Sequence, residues 1–338
     1  MATTQTTKTV IQGPSKNKVL FHGLLLVNKA TGMTSHDVVG KARRILGTKT
    51  VGHCGTLDPM ASGLMVLLVN EATKLSQYIL EKDKAYLAEA HFGVTSDTLD
   101  STGKILAQNQ VTFSESEYLE TIKRMGCVLQ LPVPHFSAVK IDGKKMYEYA
   151  REDKTIEQPV RSMSFYDIEP LSFSVTEEGA KARFRLKCSK GSYIRSFIHE
   201  LGQRLGSGAV MSDLTREGST PYRLEDAMTL EEVQSHLELG KSSADHSAFV
   251  PMPLTLPQFK HIRIKGQDRV LLTNGQISYD LKRQLIGLYQ PGAPQPGAPQ
   301  LAGPPEFGVK ALDTEDQLVA LLGLEKEKGF VIRRVFRY

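Results

Sequence analysis

Apolar positions along this chain recur every second residue in some stretches and every third or fourth in others, and the two spacings mix without a regular βαβ order. Gly23-Leu24-Leu25-Leu26-Val27-Asn28-Lys29 reads as a short strand that runs into a turn at Thr31-Gly32. Thr34 or Ser35 then caps a helix whose apolar stripe is Val38, Val39, Ala42, Ile45 and Leu46, with Gly47 at its end. Leu64 to Val69 is a continuous apolar run and predicts a buried strand, and a helix is expected from about Glu71 to Leu80. From Lys84 to Phe92 the pattern alternates, which puts Tyr86, Ala88, Ala90 and Phe92 on one face of a strand. Gly93 to Gly103 reads as a polar loop, and Ser114 with Glu117 forms a capping box for a helix reaching about Arg124.

Further on, Ala182, Phe184, Leu186 and Cys188 alternate with Arg183, Arg185 and Lys187, so one face of this strand is apolar and the other wholly cationic. Ile194, Ile198, Leu201 and Leu205 follow helical spacing, and a second capping box, Thr229 with Glu232, opens a helix near Leu230. Strands and helices mixed in this way predict an α+β fold. From about Val250 the texture changes to short strands, expected at Leu285 to Tyr289, Phe307 to Leu312, Leu318 to Leu324 and Phe330 to Val335. The expected organisation is a disordered polar tail over 1–20, a main domain over 21–249 and a small β-rich domain over 250–338. A direct repeat of Pro-Gly-Ala-Pro-Gln marks an insertion at 291–305 that cannot bury a core.

Composition narrows the classes. With 338 residues and 40% hydrophobic content the chain has enough material for two domains and a sizeable core. Its 42 lysines and arginines against 37 aspartates and glutamates leave a net charge of +5, which matters only because the basic residues cluster. Clusters occur at Lys41 to Lys49, at Lys140 to Lys145 with Tyr147, Tyr149 and Arg151, on the Arg183 to Arg195 face, at Lys260 to Lys265 and at Arg333 to Arg337. Charge patterned in this way suits contacts along a phosphate backbone. The cysteines Cys54, Cys127 and Cys188 are odd in number and lack CxxC spacing, which argues against a disulfide framework and a structural zinc, and points to a reducing cytoplasm. No stretch of 18 or more apolar residues occurs, so neither secretion nor a membrane span is expected.

Gly52-His53-Cys54-Gly55-Thr56-Leu57-Asp58-Pro59-Met60-Ala61-Ser62-Gly63 is the stretch with most chemical content, because it sets one carboxylate on a glycine-punctuated turn in front of a buried strand. On spacing alone Asp58 before Pro59 reads first as a helix N-cap, and only the rest of the chain shifts the weight toward chemistry. Arg195 falls in the first turn of its helix, where the macrodipole disfavours a cation, and so calls for an anionic partner such as Asp58 or an RNA phosphate. Tyr86 is either a core aromatic or a platform for an extruded base. His53 reads as a turn or phosphate-contact residue, and Cys54 has no identifiable partner that would make it a nucleophile. Besides an RNA-modifying enzyme, a non-catalytic RNA-binding or folding-assisting protein and a Cys54-dependent hydrolase fit these residues.

Several ordered motifs resemble the bacterial TruB-type pseudouridine synthases: Gly52 to Gly63, Leu24 to Lys29 with Gly32-Met33-Thr34-Ser35, Lys84-Ala85-Tyr86, Ser137-Ala138-Val139-Lys140 with Tyr147 to Arg151, and Gly191 to Ser196. The resemblance implies a mixed, mainly antiparallel sheet flanked by helices and loops, followed by a PUA-like RNA-binding domain. It implies conversion of the uridine at tRNA position 55, in the T arm, to pseudouridine by base flipping, in a monomer with no cofactor, metal or obligate protein partner. By position, Asp58 resembles the catalytic aspartate, Tyr86 the tyrosine that stacks on the target uracil, and Arg195 the arginine that pairs with the aspartate. Leu214 resembles the apolar contact to the base, Lys29 a lysine that supports the site, and His53 the histidine that contacts RNA displaced by flipping. Ala30 stands where a proline is usual, and Pro132-Val133-Pro134 departs from the usual adjacent prolines.

Overall fold

The leucine run of β1 (Gly23–Lys29) is buried along nearly its whole length, and the chain then turns into α1 (Ser35–Leu46). Thr34 caps this helix by accepting the Asp37 N–H while Asp37 bonds back to the Thr34 backbone, and Gly47 ends it in the left-handed region at φ 63°. β2 (Val51–His53) and β3 (Ser62–Val69) flank the glycine-punctuated turn. The helix expected from Glu71 begins as a 3-10 turn over Asn70–Leu75 and becomes regular only in α2 (Ser76–Leu80). β4 (Lys84–Phe92) is buried at every second residue, as its alternation requires. The polar stretch expected as a loop after it begins instead as β5 (Val94–Ser96), which pairs with β6 (Ile105–Gln108). α3 (Glu115–Arg124) starts on the Ser114 capping box and is followed by β7 (Val128–Pro132). The ribbon β8 (Lys140–Ile141) and β9 (Lys144–Lys145) leads into α4 (Met146–Arg151).

The long hairpin of β10 (Val160–Thr176) and β11 (Gly179–Cys188) precedes α5 (Ile194–Arg204), β12 (Ala209–Ser219), β13 (Tyr222–Arg223), α6 (Leu230–Glu238) and β14 (Phe249–Pro251). β15 (Lys260–Arg263) opens a second unit, in which α7 (Gly266–Thr273) and α8 (Tyr279–Leu288) precede β16 (Gly308–Leu312), β17 (Leu318–Glu325) and β18 (Gly329–Val335). The strand expected at Leu285 to Tyr289 is therefore the last turn of α8. Leu281 and Leu285 lie one helical turn apart and are buried, and Ser278 caps the helix by accepting the Leu281 N–H, so an i, i+4 stripe prevails over a short apolar run. The structure is a computed structural model that describes residues 21–152, 154, 156–177, 179–242, 245–289 and 308–338. The tail expected over 1–20 and the insertion expected at 291–305 lie outside the described residues.

The main sheet runs β14-β1-β3-β12-β4-β11-β10-β7, with β2 attached to β3 and β13 to β12. All its pairs are antiparallel except β12 with β3, so it is a mixed, mainly antiparallel sheet of an α+β fold. A second sheet runs β15-β16-β17-β18 and packs with α7 and α8 around its own core of Ile262, Leu272, Leu281, Leu285 and Val309. The outward face of β11, expected to be wholly cationic, is partly neutralised. Arg185 bonds Glu217 of β12 at 3.1 Å, and Lys187 bonds Asp167 of β10 at 2.9 Å. Cross-strand pairing brings carboxylates to the same face, which a single strand's alternation does not reveal. No helix among the described residues is long and apolar enough to cross a membrane.

Candidate active site

Asp58 sits in a turn, not at a helix cap. Its carbonyl accepts the Ala61 N–H at 3.1 Å around Pro59 and Met60, and its carboxylate bonds the Arg195 guanidinium. The helix cap and the turn are joined through Ser35, the first residue of α1. Ser35 Oγ accepts the Leu57 N–H at 2.9 Å and donates to the Leu57 carbonyl at 3.1 Å, so the residue before Asp58 is held on both sides. Ser35→Ala is expected to leave both buried groups of Leu57 unpaired, at a cost of about 1–3 kcal/mol. Urea denaturation checks this, and an unchanged midpoint would show that the contact carries no stability.

Arg195 is 4% exposed, and it grips Asp58 with a two-pronged contact, Nε to Oδ2 at 2.9 Å and Nη2 to Oδ1 at 3.1 Å. Nη1 donates to the Thr98 carbonyl and Nη2 to the Phe136 carbonyl, each at 3.0 Å. The cation that the macrodipole disfavours in the first turn of α5 is thus compensated by the Asp58 carboxylate, by the buried Asp100 carboxylate at 4.0 Å and by two carbonyls. The Thr98 loop is itself held by Asp100, which is buried and accepts from the Thr98 and Thr102 hydroxyls at 2.7 and 2.6 Å. Asp58 remains the exposed member of the pair, its side chain 31% accessible.

Tyr86 and Leu214 are buried on adjacent strands of the sheet, Tyr86 on β4 facing Arg216 of β12, and Leu214 two residues before Arg216. Burial pushes the Tyr86 hydroxyl up to about 12. Lys29, at the end of β1, is 1% exposed and donates to the carbonyls of Ala30 and Met33 at 3.0 and 2.8 Å, and to that of Pro59 at 3.3 Å. It thereby ties the turn after β1 to the residue that follows Asp58. Burial lowers its ammonium from the usual lysine range, with Asp58 acting in the opposite sense. His53, half-buried on β2, is likewise lowered by burial, which keeps its ring neutral at pH 7. No hydrogen bond between His53 and Asp58 is present among the described residues.

Two buried cations escaped the sequence reading. Arg216 is 1% exposed and bonds carbonyls of the Asp58 turn, and Lys84 lies beneath Gly55, where a Cβ would stand 3.9 Å from Lys84 Cε. Both sit at buried positions of alternating strands, and that register was the available signal. Burial, with Arg216 nearby, holds the Lys84 ammonium down at about 8, against a usual value of 10.5. Between those values the unfolded chain binds more protons than the folded one, so this group makes stability rise with pH from about 8 to about 10.5. Comparison of urea midpoints across that range is expected to show a steeper rise for the native protein than for Lys84→Met, and equal slopes would refute it. Cys54 is buried and its thiol pushed up to about 12 by desolvation, which removes the thiolate a Cys54-dependent hydrolase would need.

Around the ribbon and α4, cations lie over aromatic rings: Lys144 over Tyr149 at 4.8 Å, and Lys145 and Arg151 over Tyr147 at 5.3 and 5.2 Å. This supplies charge and flat apolar area together, close to the Phe136 carbonyl that holds Arg195. The arrangement as a whole offers an oriented carboxylate beside buried apolar and aromatic side chains, with a basic aromatic surface alongside.

Comparison with known proteins matches that arrangement. The family model for the N-terminal domain of TruB family pseudouridylate synthases matches residues 43–194, and the model for the tRNA pseudouridylate synthase B C-terminal domain matches residues 195–256. A protein of Bdellovibrio bacteriovorus described as tRNA pseudouridine synthase B is 50% identical over 326 residues, 95% of this chain and 99% of that protein. A protein of the same description from Bacillus pumilus is 44% identical over 225 residues, 65% of this chain and 72% of that protein. Among solved structures, a chain of a Cbf5-Nop10-Gar1 complex superposes with a TM-score of 0.64 at 26% identity, covering 96% of this chain and 87% of that one. Half-identity over nearly the whole length, with family models meeting at Arg195 itself, shows that the chain belongs to the TruB family of pseudouridylate synthases, enzymes that isomerise uridine to pseudouridine.

Proposed function

We propose that this protein converts the uridine at position 55 of tRNA, in the T arm, to pseudouridine, as a cytoplasmic monomer that needs neither a cofactor nor an obligate protein partner. The observation that carries the reading is the two-pronged contact of buried Arg195 with the half-exposed Asp58. The reaction breaks the N1–C1′ bond, rotates the uracil and joins C1′ to C5, after which the C5 hydrogen leaves as a proton. It needs one carboxylate held in a fixed direction and a pocket that keeps the detached base. Asp58 is the catalytic carboxylate and Arg195 orients it. Tyr86 stacks on the uracil of the extruded nucleotide, Leu214 packs against it, and His53 contacts RNA displaced by flipping. Lys29 supports the site from below through the Pro59 carbonyl. Within the expected 250–338, the unit from β15 onward is an RNA-binding domain whose basic residues follow the tRNA backbone, while Val250 and Pro251 stay with the catalytic domain of 21–249 through β14.

The test of substrate choice is tritium release from RNA labelled at uridine C5. A T-arm stem-loop is expected to release label, whereas an anticodon stem-loop and a T-arm with cytidine at the target position are not. Equal release from the T-arm and anticodon stem-loops would overturn the T-arm assignment.

A further inference from the structure

We propose that Arg216 is a positioning residue for the isomerisation, one guanidinium that sets the height of the Asp58 turn against the strand carrying Tyr86. The proposal rests on Asp58 being the catalytic carboxylate. Arg216 is 1% exposed, and no ion pair to a carboxylate accompanies it among the described residues. A buried charge without a counter-charge is costly unless its donors are used, and here they go to main-chain carbonyls. Nε donates to the Leu64 carbonyl at 2.6 Å, Nη2 to Gly55 at 3.2 Å, and Nη1 reaches Thr56 at 3.5 Å. Gly55 and Thr56 precede Asp58 and Leu64 follows it, so the planar fork clamps both ends of the segment that presents the carboxylate.

The backbone is shaped around this residue, at Gly63 around its main chain and at Gly55 around its guanidinium. Gly63 has φ +101°, and a Cβ there would lie 2.4 Å from the Arg216 carbonyl oxygen and 2.7 Å from its nitrogen. Gly55 has φ +95°, and a Cβ there would lie 3.3 Å from Arg216 Nη1. Glycine at both places lets β3 and the turn approach Arg216 as closely as they do. On the other side, Arg216 stands opposite Tyr86 in the ladder between β12 and β4, so the strand that holds the fork is paired to the strand that carries the tyrosine. A role in packing alone would be filled as well by an apolar chain of similar length. Only a fork of donors joins both ends of the turn to the tyrosine strand.

The experiment compares single-turnover isomerisation and T-arm RNA affinity for the native protein, Arg216→Gln, Arg216→Lys and Arg216→Met. Arg216→Gln and Arg216→Lys are each expected to slow the chemical step by about 10²-fold, as a misplacement near 1 Å does, with affinity changed by less than about threefold. Lysine fails although it keeps the charge, because it cannot span the carbonyls. Native rates in Arg216→Gln, full activity in Arg216→Lys, or rate and affinity falling in parallel would each overturn the proposal. If Arg216→Gln and Arg216→Lys do not fold, Arg216→Met decides alone, because it leaves no unpaired buried charge: a slower step at unchanged affinity supports the fork, and a native rate overturns it. Asp58→Asn run alongside separates the two failures, because an active Asp58→Asn protein refutes Asp58 as the catalyst whatever Arg216 does.

Discussion

Asp58→Asn is expected to abolish uridine isomerisation, by on the order of 10⁴-fold or more, while tRNA binding persists. Asparagine has nearly the same shape, and the hydrogen bond that forms the turn belongs to the Asp58 backbone carbonyl, so the turn survives. What disappears is the negative charge and one of the two acceptor oxygens that Arg195 now grips at 2.9 and 3.1 Å. The amide NH₂ would face guanidinium donors, and a neutral oxygen is neither a nucleophile nor an adequate stabiliser of charge at C1′. Arg195 keeps the Thr98 and Phe136 carbonyls, which limits the damage to the site. Tritium release with a T-arm stem-loop, together with a binding isotherm on the same RNA, makes the measurement. Release at the native rate would remove Asp58 from the mechanism and place the catalytic group elsewhere in the site.

Arg195→Met is expected to have the next largest effect, a loss of about 10²–10³-fold in the chemical step together with a stability loss on the order of 2 kcal/mol. Methionine fills much of the same volume but frees the carboxylate to turn and leaves the Thr98 and Phe136 carbonyls without their donor. Water can solvate the abandoned Asp58 carboxylate, whose side chain is 31% accessible, whereas buried Asp100, 4.0 Å from Arg195 Nε, loses its cation and keeps only its Thr98 and Thr102 donors. Arg195→Lys is expected to fall between native and Arg195→Met, since an ammonium keeps the charge but cannot hold both carboxylate oxygens and two carbonyls at once. Single-turnover rates and urea midpoints for the two variants test this. A native rate in Arg195→Met would show that Asp58 needs no orienting partner.

Much of the fold was legible because it is decided locally. The Thr34, Ser114 and Thr229 capping boxes form where Ser or Thr is followed by Asp or Glu three residues on, and each is present in the structure. The alternation of β4 likewise placed Tyr86 on the buried face. Expectations failed where a neighbour outweighed a local pattern. The run from Leu285 reads as a strand in isolation but belongs to the stripe begun by Leu281. The charges of β11 read as a phosphate-binding face until β10 and β12 place Asp167 and Glu217 beside them.

By itself the sequence determined the elements, their caps, the turn that carries Asp58 and the family to which the motifs point. These follow from steric limits and hydrogen bonds spanning a few residues, and from residue types at fixed spacing. Only the tertiary structure decided what Asp58 faces. Its partner Arg195 is 137 residues away, the Arg216 fork reaches the Gly55 carbonyl across 161, and Lys29 reaches Pro59 across 30. A carboxylate on a turn is compatible with a cap, a solvated loop or a catalytic site. Charge and donor geometry within about 3 Å separate these, and that distance is set by how strands from distant parts of the chain pair, with β12 lying parallel to β3 and carrying Arg216 under the turn.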